Sequence, residues 1–171
     1  AIAVLTVSAV FLLTQTPLFG DLAGKTPYEL AQDWLSSDAA LSDLNGDGEY
    51  DWENDRIGFG TGSHFANGLM YACDVKMITK EDGDYKYTFM NDTFVEKYQK
   101  LYDLLKHTES VKFDDCNGTS GMGYNLYPGF KADRILFLGT AIRTTEDMRD
   151  MTGDYSIIPY PLYDENQKNY V

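Results

Sequence analysis

One stretch of this chain has a single good conformational solution. From Asp92 to His107, the residues Phe94, Val95, Tyr98, Leu101, Tyr102 and Leu105 recur at i, i+1, i+4, i+7, i+8 and i+11, which lines one side of a helix and no face of a strand. Asn91 stands at the capping position, and Lys97, Gln99, Lys100 and Asp103 fall on the opposite, solvated side. A helix striped in this way needs an apolar surface to lie on, and the chain supplies short strand-like runs around it. Arg134-Ile135-Leu136-Phe137-Leu138-Gly139 reads as a buried strand bounded by glycine, and Tyr155 to Tyr160 as another, stopped by Pro159 and Pro161. Val75 to Ile78 and Tyr85 to Met90, separated by Glu81-Asp82-Gly83-Asp84, read as a hairpin with a solvated acidic turn. Strands alternating with helices favour an α/β layer over an all-β sandwich.

The remaining segments fit that frame. Thr26-Pro27-Tyr28-Glu29-Leu30 has the cap, proline and acid of a helix start, predicting a helix to about Leu35. From Ser63, the residues Phe65, Leu69, Met70 and Tyr71 predict a helix capped by Ser63, and Thr144 to Arg149 predicts another. Phe113 to Tyr127, rich in Gly, Asn and Asp, is expected to be loop, with Asn117-Gly118-Thr119 formally a glycosylation triplet. Ala1 to Phe19 is apolar enough to resemble a signal peptide or a membrane span. It has no basic leading region, however, and Thr6, Ser8, Thr14, Gln15, Thr16 and Pro17 interrupt it, so one or two buried strands are expected, with no membrane span. The start at Ala1 suggests an excised or processed chain. At 171 residues there is room for one domain: approach strands and a first helix over 1–41, and the core over 42–171.

Charge removes one function class. Lys and Arg number 14 against 27 Asp and Glu, a net charge of −13, and no segment concentrates the positive charge that a phosphate backbone demands; nucleic acid is not an expected partner. The 13 tyrosines suit half-buried surfaces and binding grooves. Cys73 and Cys116 permit one disulfide or stand as two buried thiols, and both readings remain open; the absence of a CxxC spacing argues against a thiol-redox site or a zinc cage.

Asp43-Leu44-Asn45-Gly46-Asp47-Gly48-Glu49-Tyr50-Asp51 places oxygen side chains at loop positions 1, 3, 5 and 9, with glycine at position 6. That is the hard-oxygen arrangement Ca²⁺ uses, with the Glu49 carbonyl turned to the ion. Position 12 is Asn54 and an acid follows one place later, so the expected ligands are Asp43, Asn45, Asp47, Glu49 and Asp51, with Asp55 in place of the missing acid. A structural ion is expected, since no His is near in sequence and Ca²⁺ is a poor generator of hydroxide. Catalytic signatures are missing: His64 and His107 sit in no nucleophile–base pattern, and there is no GxSxG elbow, Walker loop or HExxH. The expectation is a binding protein and not an enzyme. A calcium-dependent protein-interaction module and, given the many carboxylates, a glycan-active enzyme fragment are the alternatives.

Asp43-Leu44-Asn45-Gly46-Asp47-Gly48 leads after a short acidic segment to Arg56-Ile57-Gly58-Phe59-Gly60. Far along the chain come Gly129-Phe130-Lys131-Ala132-Asp133-Arg134-Ile135-Leu136-Phe137-Leu138-Gly139-Thr140, then Met148 to Met151 and Tyr155 to Pro161. Together, over about residues 40 to 171, these segments resemble the bacterial extracellular solute-binding proteins of family 1, capture subunits of ABC importers that mostly take sugars and oligosaccharides. Ala132-Asp133 stands where glycine is usual in that family. The resemblance implies one lobe of a type II periplasmic-binding-protein-like clamshell, helix-rich with a small mixed sheet. It implies a small solute, a sugar or oligosaccharide, in the interlobe cleft, a transporter permease as partner, and an extracellular, cell-surface or periplasmic location. Ligands of open α/β sheets gather beyond the carboxyl ends of strands, beside helix N-termini. Thr61-Gly62-Ser63-His64 and Gly139-Thr140-Ala141-Ile142-Arg143 are two such junctions, so His64, Asn67, Thr140 and Arg143 are the expected polar contacts, with Trp52 or Tyr71 as a stacking surface.

Overall fold

The computed structural model describes residues 42–114, 123–164 and 166–167, together with the backbone of 9–14. The helix expected over Thr26 to Leu35, the triplet at Asn117 and Cys116 lie outside these residues. The fold is mixed α/β. A five-stranded sheet contains β1 (Ala9–Thr14), β2 (Ile57–Gly62), β5 (Val111–Asp114), β6 (Ile135–Ala141) and β7 (Tyr155–Pro159). β3 (Ile78–Glu81) and β4 (Asp84–Tyr87) form a separate two-stranded hairpin. The large sheet has the order β5-β2-β6-β1-β7. β2 runs parallel to both β5 and β6, whereas β1 is antiparallel to both its neighbours, β6 and β7.

Burial on both sides explains why β2 and β6 are continuous runs and do not alternate: every residue of β2 is buried, as are Ile135 through Thr140 of β6. Two buried clusters share these strands. Phe59, Leu136 and Phe137 join Leu69 and Ala72 of α1 (Ser63–Ala72) and Phe94 and Leu101 of α2 (Asp92–His107). Ile57, Ile135 and Leu138 join Leu126, Met148 and, from the short helix α3 (Tyr127–Lys131), Tyr127 and Phe130. No helix among the described residues is long and apolar enough to cross a membrane.

α2 has the predicted bounds, and the Asn91 carboxamide accepts from the Phe94 N–H at 2.8 Å, closing the first turn. Its apolar stripe is only partly covered, because Phe94 and Leu101 are buried while Val95, Tyr98 and Tyr102 stay exposed. Four other expectations need correction. The cap of α1 is Gly62, with no side-chain bond, and Ser63 is already helical. β3 begins and ends later than expected and β4 begins and ends earlier, and Val75 belongs to the core. The expected loop from Phe113 to Tyr127 contains the end of β5, a 3-10 turn over Tyr124–Leu126 and the start of α3. Thr144 to Arg149 is not an α-helix; a 3-10 turn occupies Ile142–Glu146. Here Thr145 Oγ1 donates to the Ile142 carbonyl at 2.9 Å and Thr144 Oγ1 lies 2.6 Å from Thr140 Oγ1, so threonine hydroxyls compete with the helical ladder.

Cys73 is a free, buried thiol whose pKa burial pushes up to about 11, against the opposing pull of Lys97 and Lys100. Raised above its ordinary value of 9.0, it favours the folded form fully below that value, and this contribution is lost as pH climbs toward about 11. Alkylation of Cys73 at neutral pH is therefore expected to be slow in the native protein and rapid in urea, as read by peptide mass mapping. Equal rates in both states would contradict a buried thiol.

Candidate functional site

Parallel pairing fixes where the strand ends meet. Thr61 is in register with Gly139 on one side and Phe113 on the other, and Gly62 with Asp114, so β5, β2 and β6 all end at one edge of the sheet. From that edge α1 starts at Ser63, with its first N–H groups unclaimed by the helix ladder, and the 3-10 turn starts at Ile142. The turn Tyr124–Leu126 closes against the same edge. Gly123, at φ +68°, approaches so near that a Cβ there would lie 3.2 Å from the Gly62 nitrogen.

The two predicted junctions are thus neighbours. His64 and Asn67 are exposed near the start of α1, and Tyr71, also exposed, follows at i+7 from His64 on the same side of the helix. Tyr71 nevertheless sits at the far end of α1, two turns from the sheet edge. Arg143 is exposed on the 3-10 turn. Thr140 points inward: at 1 % exposure it joins Tyr127 and Thr144 in a buried hydroxyl triad, with Tyr127 Oη 3.3 Å from Thr140 Oγ1 and 3.0 Å from Thr144 Oγ1. It supports the edge from beneath. Trp52 lies apart from the junctions, half-buried against the Ile57–Phe130 cluster, with Lys112 Nζ 5.4 Å from its ring centroid.

Tyr124 is the residue that sequence reasoning missed. It is 53 % exposed beside the end of β2, and its ring meets that of Tyr127 edge-on at 5.4 Å and 89°. Tyr127 is in turn pinned by the hydroxyl triad, so an exposed aromatic ring is held on a rigid support at the sheet edge. A glycine, an aromatic and a proline in Gly123-Tyr124 and Tyr127-Pro128 were the available signal for a fixed turn there. Below the edge, Thr61 Oγ1 donates to the Gly139 carbonyl at 2.9 Å, tying β2 to β6. Tyr160, 4 % exposed, follows the end of β7; burial pushes its phenol well above the ordinary range, and its hydroxyl donates to the Phe65 carbonyl in α1 at 3.3 Å.

The acidic loop lies before β2. Asp43 Oδ1 and Oδ2 accept from the N–H groups of Gly46 and Gly48 at 2.6 and 2.9 Å, Asn45 Oδ1 from Asp47 at 3.0 Å, and Asp47 Oδ1 from Glu49 at 2.9 Å. Gly46 and Gly48 take φ of +76° and +83°, the turns the expected loop needs. Asp51 accepts from the Asn54 side chain and from the amides of Asn54 and Glu53, which holds its carboxyl below the usual range. Asp55 is fully buried: Oδ1 accepts from Leu44 N–H at 2.8 Å and Oδ2 from Asp51 N–H at 2.9 Å, just before Arg56 bridges back to Ser42. Asp55 is therefore the staple of the loop. Among the described residues no group of three or more His, Cys, Asp or Glu side chains gathers around one point.

No protein-family model matches the chain, and no curated protein matches it. Two solved structures share its fold. UspC of M. tuberculosis superposes with a TM-score of 0.60 at 13 % identity over 91 % of this chain. A cyclo/maltodextrin-binding protein, solved with maltotetraose, superposes with a TM-score of 0.56 at 12 % identity over the same share. This chain spans 42 % and 37 % of their respective lengths.

Proposed function

We propose that this chain is part of one lobe of a sugar-binding protein, and that the carboxyl edge of its sheet forms one wall of a cleft for a neutral oligosaccharide. The observation that carries this reading is the exposed Tyr124 ring on its fixed support, beside the exposed polar groups His64, Asn67 and Arg143. Sugar rings stack their C–H faces on aromatics and need directed polar partners for their hydroxyls, and this edge offers both. The likeness to a maltodextrin-binding fold supports the same ligand class. In this reading the captured solute is delivered outside the cytoplasm to the permease of an ABC importer, and no bond in the solute is broken.

Calorimetric titration with a panel of neutral oligosaccharides that includes maltotetraose tests the proposal, with chromatography of the sugars afterwards. Heat of binding with intact sugars is expected; hydrolysis products would make the chain an enzyme, and silence across the panel would remove the sugar reading. Tyr124→Ala and Arg143→Ala are each expected to weaken binding by about 1–3 kcal/mol, the range for losing a packed ring or leaving a polar partner unmet. Their melting temperatures should stay near that of the parent, since both side chains are exposed.

The acidic loop belongs to the same proposal as a structural Ca²⁺ site, with oxygens from Asp43, Asn45, Asp47 and Asp51 and the Glu49 carbonyl, and with Asp55 keeping the loop in shape. An ion that binds only the folded form adds RT ln(1 + [L]/Kd), about 2.7 kcal/mol at a hundredfold excess over Kd. The melting temperature should therefore rise with calcium and fall with chelator, and an unchanged value in both would rule the ion out.

A further inference from the structure

The β3–β4 hairpin takes no part in the proposed sugar site, yet it carries the most exposed apolar side chains of the described residues. Residues directly opposite each other share a face, so Ile78 with Tyr87 and Lys80 with Tyr85 form one face, and Thr79 with Lys86 and Glu81 with Asp84 the other. Tyr85 is 76 % and Tyr87 86 % exposed, and Phe89 and Met90 extend the apolar surface past the strand. Ile78, Tyr85 and Tyr87 so leave an uncovered apolar strip on one face of the hairpin, the kind of surface that marks an interaction site.

The backbone offers a matching edge. Asp82 and Gly83, at φ +53° and +92°, make the two-residue turn that closes on a hydrogen-bonded Glu81–Asp84 pair. Antiparallel ladders alternate, and the Thr88 N–H bond to the Met77 carbonyl, at 3.0 Å, keeps this phase. The peptide N–H and C=O groups of Tyr85 and Tyr87 accordingly point away from β3, toward an edge that no other described strand covers. An exposed apolar edge of this kind is a template for another strand.

The side chains select which strand. Read antiparallel against itself, Asp84-Tyr85-Lys86 is self-complementary: a two-fold axis at Tyr85 sets Asp84 of each copy opposite Lys86 of the other. It also lets the two Tyr85 residues exchange both N–H···O bonds. An axis at Lys86 would oppose two like charges, and one at Tyr87 would leave Lys86 opposite Thr88 with no ion pair. We propose that two copies of this chain associate through β4, antiparallel about Tyr85, into a four-stranded sheet whose apolar faces are continuous. The net charge of −13 on each copy opposes association, so a weak dimer is expected, best seen at about 0.15 M salt, where distant charges are screened.

Sedimentation velocity of the 171-residue chain from micromolar to near-millimolar concentration should show a monomer–dimer equilibrium. Asp84→Lys and Lys86→Asp should each weaken it at least about tenfold, while the double exchange restores it. Lys86 also pairs with Glu81 inside the hairpin at 2.6 Å, so Glu81→Gln serves as the control that should leave the dimer intact. A monomer at every concentration, a dimer indifferent to the single reversals, or no recovery in the double exchange would each overturn the proposal. So would loss of oligosaccharide binding in Tyr85→Ala, which would make the face a glycan platform. Sugar affinity unchanged in Lys86→Asp keeps this test separate from that of the cleft.

Discussion

Asp55→Ala is expected to cost about 2–4 kcal/mol, because each charge-assisted hydrogen bond is worth about 1.5–3 kcal/mol and the carboxylate makes two, to Leu44 and Asp51 N–H groups that are only part-buried. Asp55→Asn keeps the shape and one acceptor, so it should lose about half as much. Urea midpoints with unchanged m-values provide the measurement. Asp43→Ala is the contrast: its bonds to Gly46 and Gly48 lie in exposed loop, and the effect should stay under about 1 kcal/mol in the absence of calcium. Equal losses at Asp43 and Asp55 would mean that the loop has no internal staple.

The second large effect is at Gly139, between β6 and β2. A Cβ there would lie 2.9 Å from Thr61 Oγ1 and 3.0 and 3.1 Å from the Phe59 ring, both buried and neither able to swing into solvent. Gly139→Ala should destabilise by about 2 kcal/mol and Gly139→Val by about 3 kcal/mol or more, the range for overpacking a filled core. Thr61 Oγ1 would also be pushed off the Gly139 carbonyl it bonds. Gly46→Ala meets no atom within 4 Å, so its cost should come from the positive φ alone, about 1 kcal/mol. A neutral Gly139→Ala in thermal and urea melts would show that the two strands do not approach as closely as described.

Much of this was legible where local chemistry and tertiary context agree. α2 was readable to the residue because its cap, its periodicity and its charged side all point to one helix. β6 and β7 were readable because apolar runs bounded by Gly and Pro have few alternatives. Thr144 to Arg149 was misread because Thr140, Thr144 and Thr145 bond one another and the backbone, and a helix-start pattern carries no information about a hydroxyl triad completed by Tyr127. The junctions at Ser63 and Ile142 followed from strand-then-helix order, but their adjacency is a property of parallel pairing that only the three-dimensional register reveals. Tyr124 was hidden for a related reason: its ring stands at the sheet edge because Gly123 comes close to Gly62, about 60 residues away in sequence, and because Tyr127 is held by the hydroxyl triad. Thr140 was a reasonable surface candidate by position, yet both faces of β6 are covered, so it is buried whichever way it points.

The place of β1 bears on the order in which the molecule is made. It lies between β6 and β7, pairing Ala9 with Ala141 and Thr14 with Tyr155, so the earliest of the described strands waits for partners about 130 and 140 residues later. β2, β5 and β6 can assemble with α1 and α2 among themselves, but β7 reaches the sheet only through β1. Closing loops of that length delays contact formation and makes pairing slow. On a ribosome, residues 9–14 would emerge before β2, β5, β6 and β7 yet dock after most of them, and until they do β6 presents an open edge to any other strand it meets. Pulse-labelling hydrogen exchange should find amides of β2 and β6 protected in an early phase and those of β7 in a later one, with the interval between them set by the capture of β1.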